Sequence, residues 1–205
     1  MDADGQEKLG KGGRRREQIL AAAVELFGEV GYRGTSLRDI AQRVGITHPG
    51  LLYHFHSKQE LLSAVLARRD ASDGMAFGLT AETTGRDLAQ RLLRLAEHHA
   101  TTPGMIELFS TLSAESTDQG HPAHDFFKER YVKVVAAFQR MFDDMAAAGE
   151  LRDGVDTDGL GVTFTALMDG LQVQWLYARE SVDAPDLLRR YFNAYLKTPL
   201  LDEAT

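Results

Sequence analysis

Apolar residues along this chain recur at helical spacing almost from end to end. Ile19, Ala22, Ala23, Leu26 and Phe27 form one stripe, which predicts a helix over about 15–30. Leu37, Ile40, Ala41 and Val44 form a shorter one, Leu51 and Phe55 a third, and Leu61, Leu62, Val65 and Leu66 a fourth that runs to about 70. Small polar residues and glycines dominate 71–85, which predicts a loop or broken helix and a domain boundary close by. The helical period then returns over 86–100, from Pro103 to about 116, from His121-Pro122 to about 148, over 157–179 and over 184–197. No segment alternates apolar and polar residues as a strand would. The prediction is an all-α chain of about nine helices.

The punctuation between the second, third and fourth stripes is unusually explicit. Ser36 is a good N-cap with Asp39 three residues on, and Gly45 stands where a left-handed C-cap favours glycine. Thr47 caps the next helix, and Pro49 falls in its first turn, where a missing N–H costs little. Ser57 and Glu60 suit a further capping box. Two short helices joined by a tight glycine turn make a helix-turn-helix, whose second helix enters the major groove of DNA. A helical hairpin that merely buries Leu51 and Phe55 would show the same period.

Net charge is −7, an unpromising value for a polyanion binder until its distribution is followed. Between Lys8 and Arg69 there are eleven Lys/Arg against five Asp/Glu; from Asp70 onward there are twelve against twenty-two. A basic head is joined to an acidic body. Cysteine is absent, which removes disulfides and thiolate chemistry. No apolar run approaches a membrane span, and the N-terminus lacks the apolar core of a signal peptide, so a cytoplasmic protein is expected.

The block Gly45-Ile46-Thr47, Leu51, Tyr53-His54-Phe55, Ser57-Lys58, preceded by Thr35-Ser36 and Arg38-Asp39-Ile40-Ala41, resembles the tetracycline-repressor (TetR) family of bacterial transcription regulators. The likeness covers roughly 15–66. Leu52 stands where the family often has a tyrosine, and His48-Pro49-Gly50 replaces a commoner polar-Gly-Ala, departures that bear on which operator is read. Ala166-Leu167, Asp169-Gly170-Leu171 and Gln174-Trp175 resemble a weaker C-terminal pattern of many actinobacterial-type members.

The resemblance implies a three-helix DNA-binding head, a linking helix and a helical ligand-binding and dimerisation body. The expected division is a disordered basic arm over 1–13, the head with its linking helix over 14–70, and the body over 71–205. Base reading falls to Arg38, Thr47, His48, Gly50 and Leu52, phosphate holding to Ser36, Tyr53, His54, Lys58 and the cluster Arg14, Arg15 and Arg16. The two last helices are apolar on more than one face, which fits packing against a second copy and a near-palindromic operator of double-stranded DNA. Gly170, mid-helix, is expected at a close helix approach. Met105, Phe109, Phe127, Tyr131, Phe138, Met141, Met168, Gln172 and Trp175 offer aromatic and methionine surface for an unidentified small-molecule effector, though each also suits an ordinary core. A repressor released by that effector is the leading reading; a regulator without a ligand, or an activator, stays open.

Other chemistry is weaker. His98 and His99 point to different faces, and the pair His121 and His124 lacks a third ligand, so no metal site is expected. No phosphate loop, nucleophile elbow or carboxylate pair appears, so neither an enzyme nor a cofactor is expected.

Overall fold

Ile19, Ala23 and Phe27 on helix α1 (Lys11–Gly34) are fully buried, and the other head helices assemble on that stripe. The computed structural model describes residues 11–101 and 103–200. The arm expected to be disordered lies mostly outside the described residues, but 11–13 are already helical. Each residue added to a standing helix gains a hydrogen bond without a new nucleus, so α1 starts before its apolar stripe does.

Helix α2 (Leu37–Val44) and α3 (His48–Leu52) follow as the punctuation required. Asp39 N–H donates to Ser36 Oγ at 3.2 Å and Ser36 N–H to Asp39 Oδ2 at 2.8 Å, closing the capping box. Gly50 N–H donates to Thr47 Oγ1 at 3.2 Å, capping α3. Helix α4 (Lys58–Phe77) continues seven residues beyond the expected end at 70. Its last carbonyls are held from outside: Arg91 donates Nη1–H to Phe77 O at 3.0 Å and is itself pinned by Asp87. A tertiary cap offsets the weak local propensity of the small polar residues.

The body comprises α5 (Gly85–Ala100), α6 (Pro103–Glu115), α7 (His124–Ala147), α8 (Leu160–Tyr177) and α9 (Ala184–Tyr195), which makes nine helices among the described residues. The only β pairing among them is an isolated bridge between Leu151 and Leu196. His121 and Pro122 form a turn before α7 instead of opening it.

Two cores result, and they do not divide at residue 70. One joins α1 to α4 with Leu108, Phe109 and Leu112 of α6 and with Phe127. The other joins α5, α7, α8 and α9 around Phe142, Phe164 and Phe192. Helix α6 belongs to the body by its place in the sequence, yet its Leu108, Phe109 and Leu112 pack into the head core.

The close helix approach lies at Gly161, not Gly170. A Cβ at Gly161 would meet Val135 O at 2.6 Å and Gln139 N at 2.8 Å, both backbone atoms of α7, whereas at Gly170 only Gln174 Nε2 comes within 4.0 Å. Gln139 fills the seam by accepting from Gly161 N–H at 3.1 Å and donating to Thr157 O at 2.9 Å.

Candidate DNA-reading head and effector cavity

The outward side of the helix-turn-helix carries most of the residues expected to meet DNA. Arg38 is exposed, His48, Gly50, Leu52 and His54 are half-buried, and Tyr53 is 83% exposed, its ring edge-to-face with that of His54 at 5.3 Å. So open a tyrosine at the end of α3 is no part of the core. Buried Leu51 and Phe55 anchor α3 from beneath. Arg14 and Arg16 are exposed and Arg15 is half-buried on α1. The Arg16 guanidinium sits 4.6 Å over the Phe55 ring, which fixes a cation beside α3. Ser36 and Thr47 already serve as caps through their hydroxyls.

Lys58 is the exception. Its ammonium lies 4.2 Å from the Tyr32 ring centre, at the seam between head and α6, and not on the outward side with Tyr53. Partial burial lowers its pKa, opposed by the carboxylates of Glu115 and Asp39. The side chain braces the seam in this conformation.

That seam is built around a break in α1. Gly31 adopts φ 75° and ψ 171°, and a Cβ there would fall 2.2 Å from Glu115 Oε1. The Glu115 carboxylate, at the end of α6, accepts from Tyr32 N–H at 2.8 Å. Buried His121 stands against the same carboxylate, its Nε2 at 3.6 Å, while its Nδ1 accepts from Ala123 N–H at 3.2 Å. Burial pushes the imidazole below its ordinary pKa, against the pull of Glu115. Arg33 and Asp118 pair across the same junction. Two of the histidines set aside as metal ligands, His121 and His124, thus belong to the joint: His124 Nδ1 is 2.8 Å from Ser116 O. No group of three His, Asp or Glu side chains suited to a metal occurs among the described residues.

Glu115→Ala is expected to lower stability by about 1.5–3 kcal/mol, the scale of a hydrogen bond to a charged group. Urea unfolding measures the loss. Hydrogen exchange should show protection vanishing first at the Tyr32 amide, and unchanged protection there would remove Glu115 from the joint.

Three adjoining cavities, of about 320, 100 and 30 Å³, open among α5 to α9. Met168 and Gln172 line all three, so two flexible side chains partition what is nearly one space. Of the residues expected to meet an effector, Phe109, Phe127, Tyr131 and Phe138 line the middle cavity and Trp175 the smallest. Met105 and Met141 line none: Met105 packs against the head core and Met141 is wholly buried in the body core. Sequence reading named Tyr131 and Gln172 but missed other polar members, among them Asp169, Arg130, His99, Thr80 and Thr83. Tyr131 donates its hydroxyl to Asp169 Oδ2 at 2.9 Å, and burial, then the Asp169 charge, raise the phenol's pKa, so it remains a donor. Arg130 places its guanidinium 5.4 Å over Phe109. His99, Thr80 and Thr83 line the largest cavity.

A model of bacterial regulatory proteins of the tetR family matches residues 19–65, and one of the BetI-type transcriptional repressor C-terminal region matches 86–200. The chain belongs to the TetR family. Over 203 residues it is 28% identical to the HTH-type transcriptional repressor KstR2 of Rhodococcus jostii strain RHA1, covering 91% of each chain. The repressor AcnR of Corynebacterium diphtheriae is 29% identical over 164 residues, 76% of this chain and 78% of that one. A regulator from Saccharomonospora viridis, solved in complex with choline, superposes with a TM-score of 0.68 at 24% identity, over 90% of this chain and 99% of that one. This TetR-family chain is therefore a DNA-binding transcriptional regulator, and α2, the Gly45 turn and α3 form its helix-turn-helix.

Proposed function

We propose that the protein is a repressor that holds a near-palindromic operator as a homodimer and lets go when a small molecule fills the cavities between α5 and α8. The observation that carries this reading is how the cavity walls reach the head. Leu79, Thr80 and Thr83, immediately beyond α4, line the largest cavity, and α4 begins inside the head core with Leu61, Leu62, Val65 and Leu66. Phe109, Ser110 and Ser113 of α6 line the middle one, and α6 is tied to α1 through Glu115. An occupant that shifts α4 or α6 moves the head. A coupling of about 1–3 kcal/mol would suffice, and linkage requires the operator to weaken the effector equally.

The dimer reading rests on α8 and α9. Val162, Val173 and Tyr177 leave 60%, 44% and 90% of their surface exposed along one side of α8, and Leu187 of α9 leaves 41%. Apolar surface of that extent along one helix fits a second copy better than water. The paired α3 helices would then enter major grooves about 34–36 Å apart or somewhat more.

Gel-shift and fluorescence titrations against the DNA upstream of the protein's own gene test the reading. Arg38→Ala should cost about 1–3 kcal/mol on the bound site and relax preference at one base pair. An equal loss on scrambled DNA would reduce Arg38 to a phosphate contact; no binding to any duplex at low salt would overturn the assignment.

A further inference from the structure

The largest cavity has an unusual electrostatic character for its setting. The body from Asp70 onward holds twelve Lys/Arg against twenty-two Asp/Glu, yet three of those twelve cations, Arg130, Lys133 and Arg140, stand at this one cavity. None of its described lining residues is acidic. The three lie at spacings of three and seven along α7 and so share one face of that helix. Lys133 makes one contact with Glu129 at 3.6 Å, but both side chains are more than 70% exposed, and such a pair holds little. The rest of the lining is largely apolar, with Leu88, Leu92 and Leu95 of α5, Phe138 of α7 and Met168 of α8. At about 320 Å³ the space lies within the range of small-molecule sites.

From this we infer that the effector is an amphipathic anion: an apolar body seated between α5 and α7, with a carboxylate or phosphate headgroup held by the exposed Lys133 and Arg140. The inference rests on the proposed effector-released function and narrows it. A cationic ligand such as the choline held by the Saccharomonospora viridis regulator is disfavoured on two counts. These cations would repel it. The aromatic surround of the middle cavity, which could otherwise take a quaternary ammonium, already has the Arg130 guanidinium over Phe109. Either headgroup gains charge-assisted hydrogen bonds that a neutral one of equal length does not.

Calorimetric titration of the full chain, without DNA, with decanoate, decyl phosphate, decanol and choline below micelle formation tests this. Decanoate or decyl phosphate should bind roughly tenfold or more tighter than decanol, the worth of one charge-assisted hydrogen bond. Whichever anion binds tighter names the headgroup. The exposed-site variant Lys133→Gln/Arg140→Gln should keep its fold and its weak decanol binding while losing the preference for the anion. Decanol binding as tightly as both anions, choline displacing them, or a preference that survives the double substitution would overturn the inference. Operator release is read separately: anion binding that leaves the DNA complex intact keeps the ligand class and sinks the effector role.

Discussion

Gly170→Arg is expected to yield a folded monomer whose affinity for a two-half-site operator falls by about 10²–10⁴-fold, the gain that joining two binding modules confers. Gly170 lies on the side of α8 that carries Val162, Ala166, Val173 and Tyr177, at helical spacings of four, four, three and four residues. Within its own subunit it has room: only the tip of Gln174 comes within 4.0 Å of a Cβ built there. Arginine is also a far better helix former than glycine, so the single subunit should not suffer. A charged, bulky side chain in the middle of an apolar seam instead desolvates without a partner on association. Sedimentation should show the change in mass, and binding to an isolated half-site should survive while the advantage of the second half-site disappears. A variant that stays dimeric and binds the full operator normally would place the seam elsewhere than on α8.

The same glycine shows where sequence reading stops. Caps and tight turns were legible because their hydrogen bonds close within a few residues: Ser36 with Asp39, Thr47 with Gly50, Ser57 with Glu60. Which of two mid-helix glycines meets a neighbouring backbone was not, since it depends on how α8 is rotated against α7. Both Gly161 and Gly170 interrupt a good helix, and only packing tells them apart. The end of α4 was misjudged for a like reason, its cap being supplied by Arg91 from fourteen residues away. The apolar face of α6 was visible, but not that it belongs to the head. Met141 and Phe138 were both expected at the effector surface, yet one is sealed in core and the other walls a cavity. The cationic face of α7 had a signal in the spacing of Arg130, Lys133 and Arg140, which becomes informative only when a cavity is found beside it.

Phe164→Ala should cost about 3–5 kcal/mol, a large share of the roughly 5–15 kcal/mol that holds a domain together. Phe164 is fully buried, with ring centres of Phe138 and Phe192 each at 4.9 Å, Tyr191 at 5.6 Å and Phe142 at 5.9 Å. It therefore ties α7, α8 and α9 together at one point, and truncation leaves a cavity that three helices would have to move to fill. Chemical denaturation gives the size of the loss; hydrogen exchange gives its location. Because α7 enters the head core through Phe127 in its first turn and the body core through Phe138, Met141, Phe142 and Met145, protection should fall across the rest of α7, α8 and α9 while α1 to α3 keep theirs, joined by α6. The body would then lose both its cavity wall at Phe138 and the support of the α8 seam, so ligand binding and dimerisation should fail before the head does. Uniform loss of protection from α1 to α9 would instead mean that the two cores unfold as one unit. A body that cannot loosen without melting the head could not signal to it through α4 and α6 in the graded way release requires.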